Sequence, residues 1–443
     1  MAMTNRRDFL RLSAIAAAGL GGSPSLATGA DATERVPPTL ADATERVPPT
    51  LADATERVPP AFKQPSGTAA VMFSVLPYIQ LLGADSVGIV WMTAVKATGR
   101  VTWSQDGWAT EHAAVTEEDG LLDANSFMHK VVVKGVDLHR PLQYRVHSRR
   151  IGKFDIYGIG YAGDEVSYES SMDAPLPPDG ILTWAMFNDV HNLRKVYDIF
   201  LPHLADVHTM CIFNGDVMED LTYEEKFKRD FLAPFARVTQ EARLPVWFVR
   251  GNHETRGQLA RQLRDYVALQ DNRYYGAVTL EGVRFVFVDT GEDKVDSTPV
   301  YQGVNDFDGY LAREIEWVKR EVASREWKSA RARIVVQHIP PPLSKGGWEP
   351  KLKRLDALNE VWKTANVTLM MGAHLHWWCW MDPWPGRPYP LVVGGGPRLG
   401  NSGKRDNATL TKCRLEGNRL LVKMLDQTGK TIIEKGIALS RTP

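Results

Sequence analysis

The apolar positions change character along the chain. Between about Ser66 and Asp173 they come as short runs of β-branched and aromatic residues: Ser86 to Met92, Arg100 to Trp103, Lys130 to Val136 and Leu142 to Arg149. Turn signals such as Asp106-Gly107 and Asp119-Gly120 separate them. This predicts a small all-β sandwich of about 100 residues at 66–173. After Pro175, Pro177 and Pro178 the runs become almost continuously apolar, at Ile181 to Phe187, Met210 to Phe213, Val246 to Val249, Phe285 to Val288, Ile334 to Val336 and Val367 to Met371. Strands buried on both faces read this way. A helical period appears between them at Phe227, Phe231, Phe235 and Val238, with Pro234 set to kink or split that helix, and again at Leu311, Ile315, Val318 and Val322. Strands resume beyond His376, from Trp377 to Met381, Leu391 to Gly394, Cys413 to Leu415, Leu420 to Met424 and Thr431 to Lys435. The expected fold class is α/β: a two-sheet α/β/β/α sandwich over 174–443, preceded by the all-β sandwich.

The amino-terminal segment is of another kind. Asn5-Arg6-Arg7-Asp8-Phe9-Leu10 precedes an alanine-rich apolar stretch from Leu12 to Leu20, with small residues near Ala27 and Ala30. That stretch is short of the roughly 20 residues a bilayer span needs, so 1–29 reads as a signal peptide. Its Arg-Arg-x-Phe-Leu string resembles a bacterial twin-arginine signal, which makes the twin-arginine export machinery the expected partner and a periplasmic or secreted product the expected destination. No later segment reads as a membrane span. Residues 30–65 hold a repeat of eleven residues: Ala30 to Leu40 reads ADATERVPPTL, Ala41 to Leu51 repeats it, and Ala52 to Pro60 carries most of a third copy. Each Pro-Pro denies two backbone donors, and one Val and one Leu per unit bury too little to offset ordering entropy. A disordered, semi-stiff spacer is expected.

Composition narrows the partners. Acidic and basic residues balance at 53 each. A nucleic-acid scaffold or an anionic membrane surface calls for a basic excess that this chain lacks. Three cysteines, Cys211, Cys379 and Cys413, sit in apolar or alternating segments with no metal spacing, and read as buried small residues.

Chemistry enters at the strand ends. Five of the apolar strands run into metal-binding side chains: Asp189-Val190-His191, Gly215-Asp216, Gly251-Asn252-His253-Glu254, His338 and His374-Leu375-His376. In open α/β sheets, loops at the carboxyl ends of strands converge on ligand sites. A pair of ions needs a bridging carboxylate, and Asp216 is the natural bridge because Gly215 lets the backbone approach. One ion would take Asp189, His191, Asp216 and His376, and the other Asp216, Asn252, His338 and His374. An i, i+2 pair such as Asp189/His191 is expected to point to one side of an extended segment, and His374/His376 likewise. Asp-x-His or Gly-Asp alone is weak, and a lone His338 reads more simply as a core histidine. The five together, each after its own strand, carry the inference.

These residues resemble the calcineurin-like metallophosphoesterase superfamily, whose pattern is D-x-H, G-D, G-N-H-D/E, a later H and G-H-x-H. The likeness runs from Thr183 to Gly396, including Gly394-Gly395-Gly396. The string from Pro77-Tyr78-Ile79-Gln80 through Ile89-x-Trp91-x-Thr93 to Leu142-x-Tyr144-Arg145-Val146 resembles the fibronectin-III-like domain of purple acid phosphatases, and Val335-x-x-His338 points the same way. The resemblance implies a phosphoester hydrolase that works through a metal-bridging hydroxide on a small phosphate ester, with two ions of iron, manganese or zinc. Glu219 stands where that subfamily has its metal-bound tyrosine, and His191 where it has glycine, so an iron–tyrosinate centre is not expected. Ala373 directly precedes His374, with Gly372 one place earlier.

His253, beside the ligand Asn252, is the expected acid for the leaving oxygen or donor to the transition state, oriented by Asp220 or Glu254. Lys345, Trp348 and Arg398 are candidate substrate contacts on loops. For Trp377, Trp378, Trp380 and Trp384, sheet residues packed into the core are favoured over a nucleobase-stacking wall. His112, His129, His139, His147, His203 and His208 read as structural. A phosphomonoesterase is the leading expectation. A phosphodiesterase for cyclic nucleotides or phospholipid head groups is the near rival, and a decayed, non-catalytic binding protein the distant one.

Overall fold

The computed structural model describes residues 72–343 and 353–439. The segments read as export signal and repeat, and the candidate contacts Lys345 and Trp348, lie outside the described residues.

Two large sheets face each other. One has nine strands in the order Thr431–Ala438, Arg419–Asp426, Thr409–Glu416, Leu182–Phe187, Met210–Asn214, Val246–Val249, Phe73–Leu81, Ser86–Ala97, Ser126–Lys134. The other has six, Gly276–Leu280, Val283–Val288, Ala332–Gln337, Leu369–Gly372, Leu391–Val393 and Cys379–Met381. Alternation along each strand assigns its faces. Leu182, Trp184 and Met186 join Phe285, Phe287 and Ile334 in the core between the sheets. Ala185 and Phe187 face the other way, into a cluster with Tyr197, Phe213, Phe231 and Phe235. On the six-stranded sheet Val286 and Val288 pack outward with Leu311, Val318, Leu358 and Trp362 of the helices Phe307–Ala323 and Lys353–Thr364. Helix, sheet, sheet, helix is the resulting order. Trp247 and Phe287 stack across the middle with ring centroids 3.9 Å apart. The helical path runs from the short helix Glu224–Phe227 through a wider turn at Lys228–Leu232 into the helix Ala233–Ala242, and Pro234 sits just after that wider turn.

The all-β segment is tied to this sandwich rather than appended to it. Its strand Phe73–Leu81 pairs in parallel with Val246–Val249 through Gln80 and Val246, so the nine-stranded sheet runs across both parts of the chain. A four-stranded sheet, Val166–Met172, Leu142–Ser148, Arg100–Ser104 and His112–Ala114, and two short two-stranded pairs make up the rest of the all-β region. Buried Gln240, on the helix Ala233–Ala242, donates to the Pro77 carbonyl at 2.6 Å and the Tyr144 hydroxyl at 3.1 Å, and accepts from Ser170 at 2.7 Å. A buried amide with both ends satisfied fixes the two parts in register. The division read at 173/174 thus separates two stretches of chain but not two sheets. Cys211, Cys379 and Cys413 are buried. Trp378 and Trp380 pack against the core between the sheets, and Trp377 against the helix-covered face. Among the described residues no helix is long and apolar enough to cross a membrane.

Candidate metal centre

The parallel strands Leu182–Phe187, Met210–Asn214 and Val246–Val249 lie side by side, and their carboxyl ends deliver Asp189, Asp216 and Asn252. The parallel strands Ala332–Gln337 and Leu369–Gly372 of the facing sheet deliver His338 and the pair His374 and His376. The seven side chains meet in two groups that share one carboxylate. Asp189, His191, Asp216 and His376 present ligand atoms within 4.8 Å of one another, and so do Asp216, His338 and His374. Asn252 joins the second group, its Oδ1 lying 2.9 Å from His374 Nδ1.

The backbone that aims these groups is not the extended one expected from the i, i+2 spacing. Asp189, His191, Asp216, His374 and His376 all have left-handed φ, between 45° and 71°. Such residues cost on the order of 1–3 kcal/mol each and persist where the surroundings over-determine them. Here the loops brace each other: Asp189 and His191 donate N–H to the carbonyls of Gly215 and Asp216 at 3.1 and 2.9 Å, and Ala373 to that of His338 at 2.9 Å. In each i, i+2 pair the loop turns both side chains into the cavity by handedness, not by strand alternation. The glycines leave room for this. A Cβ on Gly215 would collide with the His338 ring and the Gly251 backbone, and one on Gly251 with the Asp216 carboxylate.

Around these seven side chains stands a polar frame. Asn188 donates to Asp189 Oδ2 at 2.7 Å and to the Gly395 carbonyl at 3.0 Å, and the His374 N–H reaches Asp189 Oδ2 at 2.9 Å. Glu254 is fully buried and takes three backbone N–H groups, from Asp216 and Gly251 at 2.9 Å and Met218 at 3.2 Å. Asp220 is engaged by Thr222 and Lys226. Neither carboxylate therefore orients His253, against the sequence expectation. The Glu219 carbonyl does so, 2.6 Å from Nδ1. The Glu219 carboxylate lies 2.8 Å from His191 Nδ1. His253 Nε2 is 3.9 Å from Asp216 Oδ2 and 3.0 Å from Arg256 Nη1. The sequence had not singled out Asn188, Arg256 or Glu292. Asn188 at least adjoins a motif, whereas Glu292 lies 36 residues from the arginine it holds. Arg398 pairs with Asp406 at 2.8 Å.

The electrostatics fit a cation pair. Burial pushes the His374 imidazole down to about 3. Burial, then the neighbouring His191, brings His376 to about 4. Burial also lowers His191. Near neutral pH all three offer lone pairs, as metal ligands must. His191 Nε2 and His376 Nε2 face each other over 2.9 Å, with Asp216 Oδ2 3.6 Å from the first and Asp189 Oδ1 3.5 Å from the second. Asp216 Oδ2 and His338 Nε2 are buried without an aligned hydrogen bond, although they stand only 3.1 Å apart. Nitrogen and oxygen atoms gathered around a buried, shared carboxylate suit two ions held by mixed N and O ligands.

Residues 183–378 match the family model of calcineurin-like phosphoesterases. No curated protein sequence matches the chain. Among solved structures, the chain is similar to a purple acid phosphatase isolated from yellow lupin (Lupinus luteus) seeds. The two are 13% identical over 82% of this chain and 74% of that one, with a TM-score of 0.61. It is similar also to PhoD, 11% identical over 84% of this chain and 94% of that one, with a TM-score of 0.55. Likeness at such identities is a likeness of fold.

Proposed function

We propose, from the premise that residues 183–378 form a calcineurin-like phosphoesterase domain, that this protein is a dinuclear-metal phosphomonoesterase acting on small phosphate esters. One ion would be held by Asp189, His191, Asp216 and His376, and the other by Asp216, Asn252, His338 and His374. Bound there, two ions of iron, manganese or zinc would activate water near neutral pH and offset the charge of the phosphoryl oxygens. The protein's own part is to hold the ligand atoms against strained loops, to keep three imidazoles neutral, and to place His253 on the leaving-group side. His253 adjoins the shared carboxylate without belonging to either ligand set. The observation that carries the reading is the buried carboxylate of Asp216, common to both ligand groups.

The Arg6-Arg7 string supports a further part of the reading: export by the twin-arginine route, already folded, to the periplasm or beyond. The all-β region is read as a fibronectin-III-like support for the catalytic sandwich.

Elemental analysis of purified protein, with turnover on a panel of mono- and diesters, tests the assignment. Two ions per chain and hydrolysis of monoesters are expected. Turnover of diesters alone would replace the substrate class, and a metal-loaded protein inert to every ester would sink the hydrolase reading.

A further inference from the structure

The guanidinium of Arg256 is fixed from one side. Its Nε and Nη2 donate to the two carboxylate oxygens of Glu292 at 3.0 and 2.7 Å, and Nη2 reaches Asp293 at 3.1 Å. Glu292 is itself buried and also accepts from the Thr255 hydroxyl at 3.2 Å. A planar fork held on this edge has its remaining amino group aimed in a set direction. That group, Nη1, stands 3.0 Å from His253 Nε2. Arginine keeps its protons, so Nη1 donates and Nε2 accepts. The other ring nitrogen faces the Glu219 carbonyl, which only accepts, so Nδ1 carries the proton. His253 is thereby held in one tautomer with no N–H left to offer a substrate. Nη1 has a second hydrogen, for which no acceptor stands among the described residues, and the side chain is 26% exposed.

We propose that Arg256 is a catalytic residue that donates this free Nη1–H to the departing ester oxygen, with His253 as the residue that positions it. The proposal rests on the phosphoesterase reading above. In the step, the oxygen of the attacking hydroxide bonds to phosphorus and the ester P–O bond breaks, leaving its electron pair on the departing oxygen. Arg256 stabilises that charge without giving up a proton, and water then protonates the oxygen. The contribution grows with the charge that develops, so it is greatest for poor leaving groups. Removing one such donor typically lowers turnover by about 10²–10³.

The test compares metal-loaded wild type, Arg256→Gln, Arg256→Lys and His253→Ala on aryl and alkyl phosphates of rising leaving-group pKa, with metal content measured for each. Arg256→Gln should lose about 10²–10³-fold on an alkyl phosphate and less than about 3-fold on dinitrophenyl phosphate, with lysine recovering part of the loss. A loss equal across the series overturns the proposal while leaving the hydrolase intact. A wild type inert to all esters removes both. Independently of turnover, ¹⁵N NMR of the metal-free protein should find the proton of His253 on Nδ1 in wild type and shared between both nitrogens in Arg256→Gln. A proton on Nε2 in wild type also overturns the proposal.

Discussion

His338 Nε2 and Asp216 Oδ2 face each other over 3.1 Å in the buried floor of the site, with no aligned hydrogen bond between them. Nδ1 of the same imidazole donates to the Asn214 carbonyl at 2.8 Å, so Nε2 is the nitrogen left for a cation or a proton. Burial alone would keep the ring neutral, but Asp216 outweighs it and raises His338 to about 10. Burial pushes the Asp189 carboxyl up to about 7, against the pull of His338.

Both protons must leave before ions can bind, so metal affinity should rise with pH. At pH 6 His338 and Asp189 are both protonated in the metal-free protein. At pH 8 Asp189 has lost its proton and His338 retains one. Titration calorimetry with a divalent ion, in buffers of different ionisation enthalpy, should find more protons released at pH 6 than at pH 8 and tighter binding at pH 8. An affinity unchanged over that range contradicts the assignment.

Glu254 binds no ion in this scheme, yet its carboxylate gathers the N–H groups of Gly251, Asp216 and Met218. Glu254→Gln replaces an acceptor oxygen with an amino group directed at backbone donors. The expected cost is about 1–3 kcal/mol in chemical denaturation. Metal affinity should fall by about 10–100-fold, since the ligand's backbone loses its brace.

Gly251→Ala places a methyl group where the Asp216 carboxylate and N–H now lie. The strand Val246–Val249 should still pair, so the variant is expected to fold, with native-like circular dichroism, and to hold less than one ion per chain. Full metal content in this variant would show that the loop yields more readily than its contacts imply.

His253→Ala should keep both ions, because neither of the two groups that share Asp216 includes that ring, and lower kcat by about 10², because Arg256 loses the ring that positions its Nη1. Loss of metal from this variant would make His253 a ligand and redraw the site.

The candidate site was legible because strands buried on both faces end abruptly in polar side chains, as Val246–Val249 does in Gly-Asn-His-Glu. The handedness of the loops was not legible. Two residues of spacing in Asp189/His191 suggested alternation on an extended segment, and φ near 45° at both residues comes instead from tertiary hydrogen bonds that no local pattern announces. The same holds for the partner of His253, a carbonyl, which every residue has. Continuity of the nine-stranded sheet rests on one parallel contact between Gln80 and Val246, far apart in the chain. Composition does set off the all-β segment, but it carries no sign of which edge that segment extends.

The central claim is that two ions share Asp216. Anomalous diffraction from crystals of the metal-loaded protein, collected at the absorption edge of the bound element, tests it most directly. Two peaks are expected on either side of the Asp216 carboxylate, one among Asp189, His191 and His376 and the other among Asn252, His338 and His374. A single peak, or peaks that leave Asp216 without a metal neighbour, would contradict it.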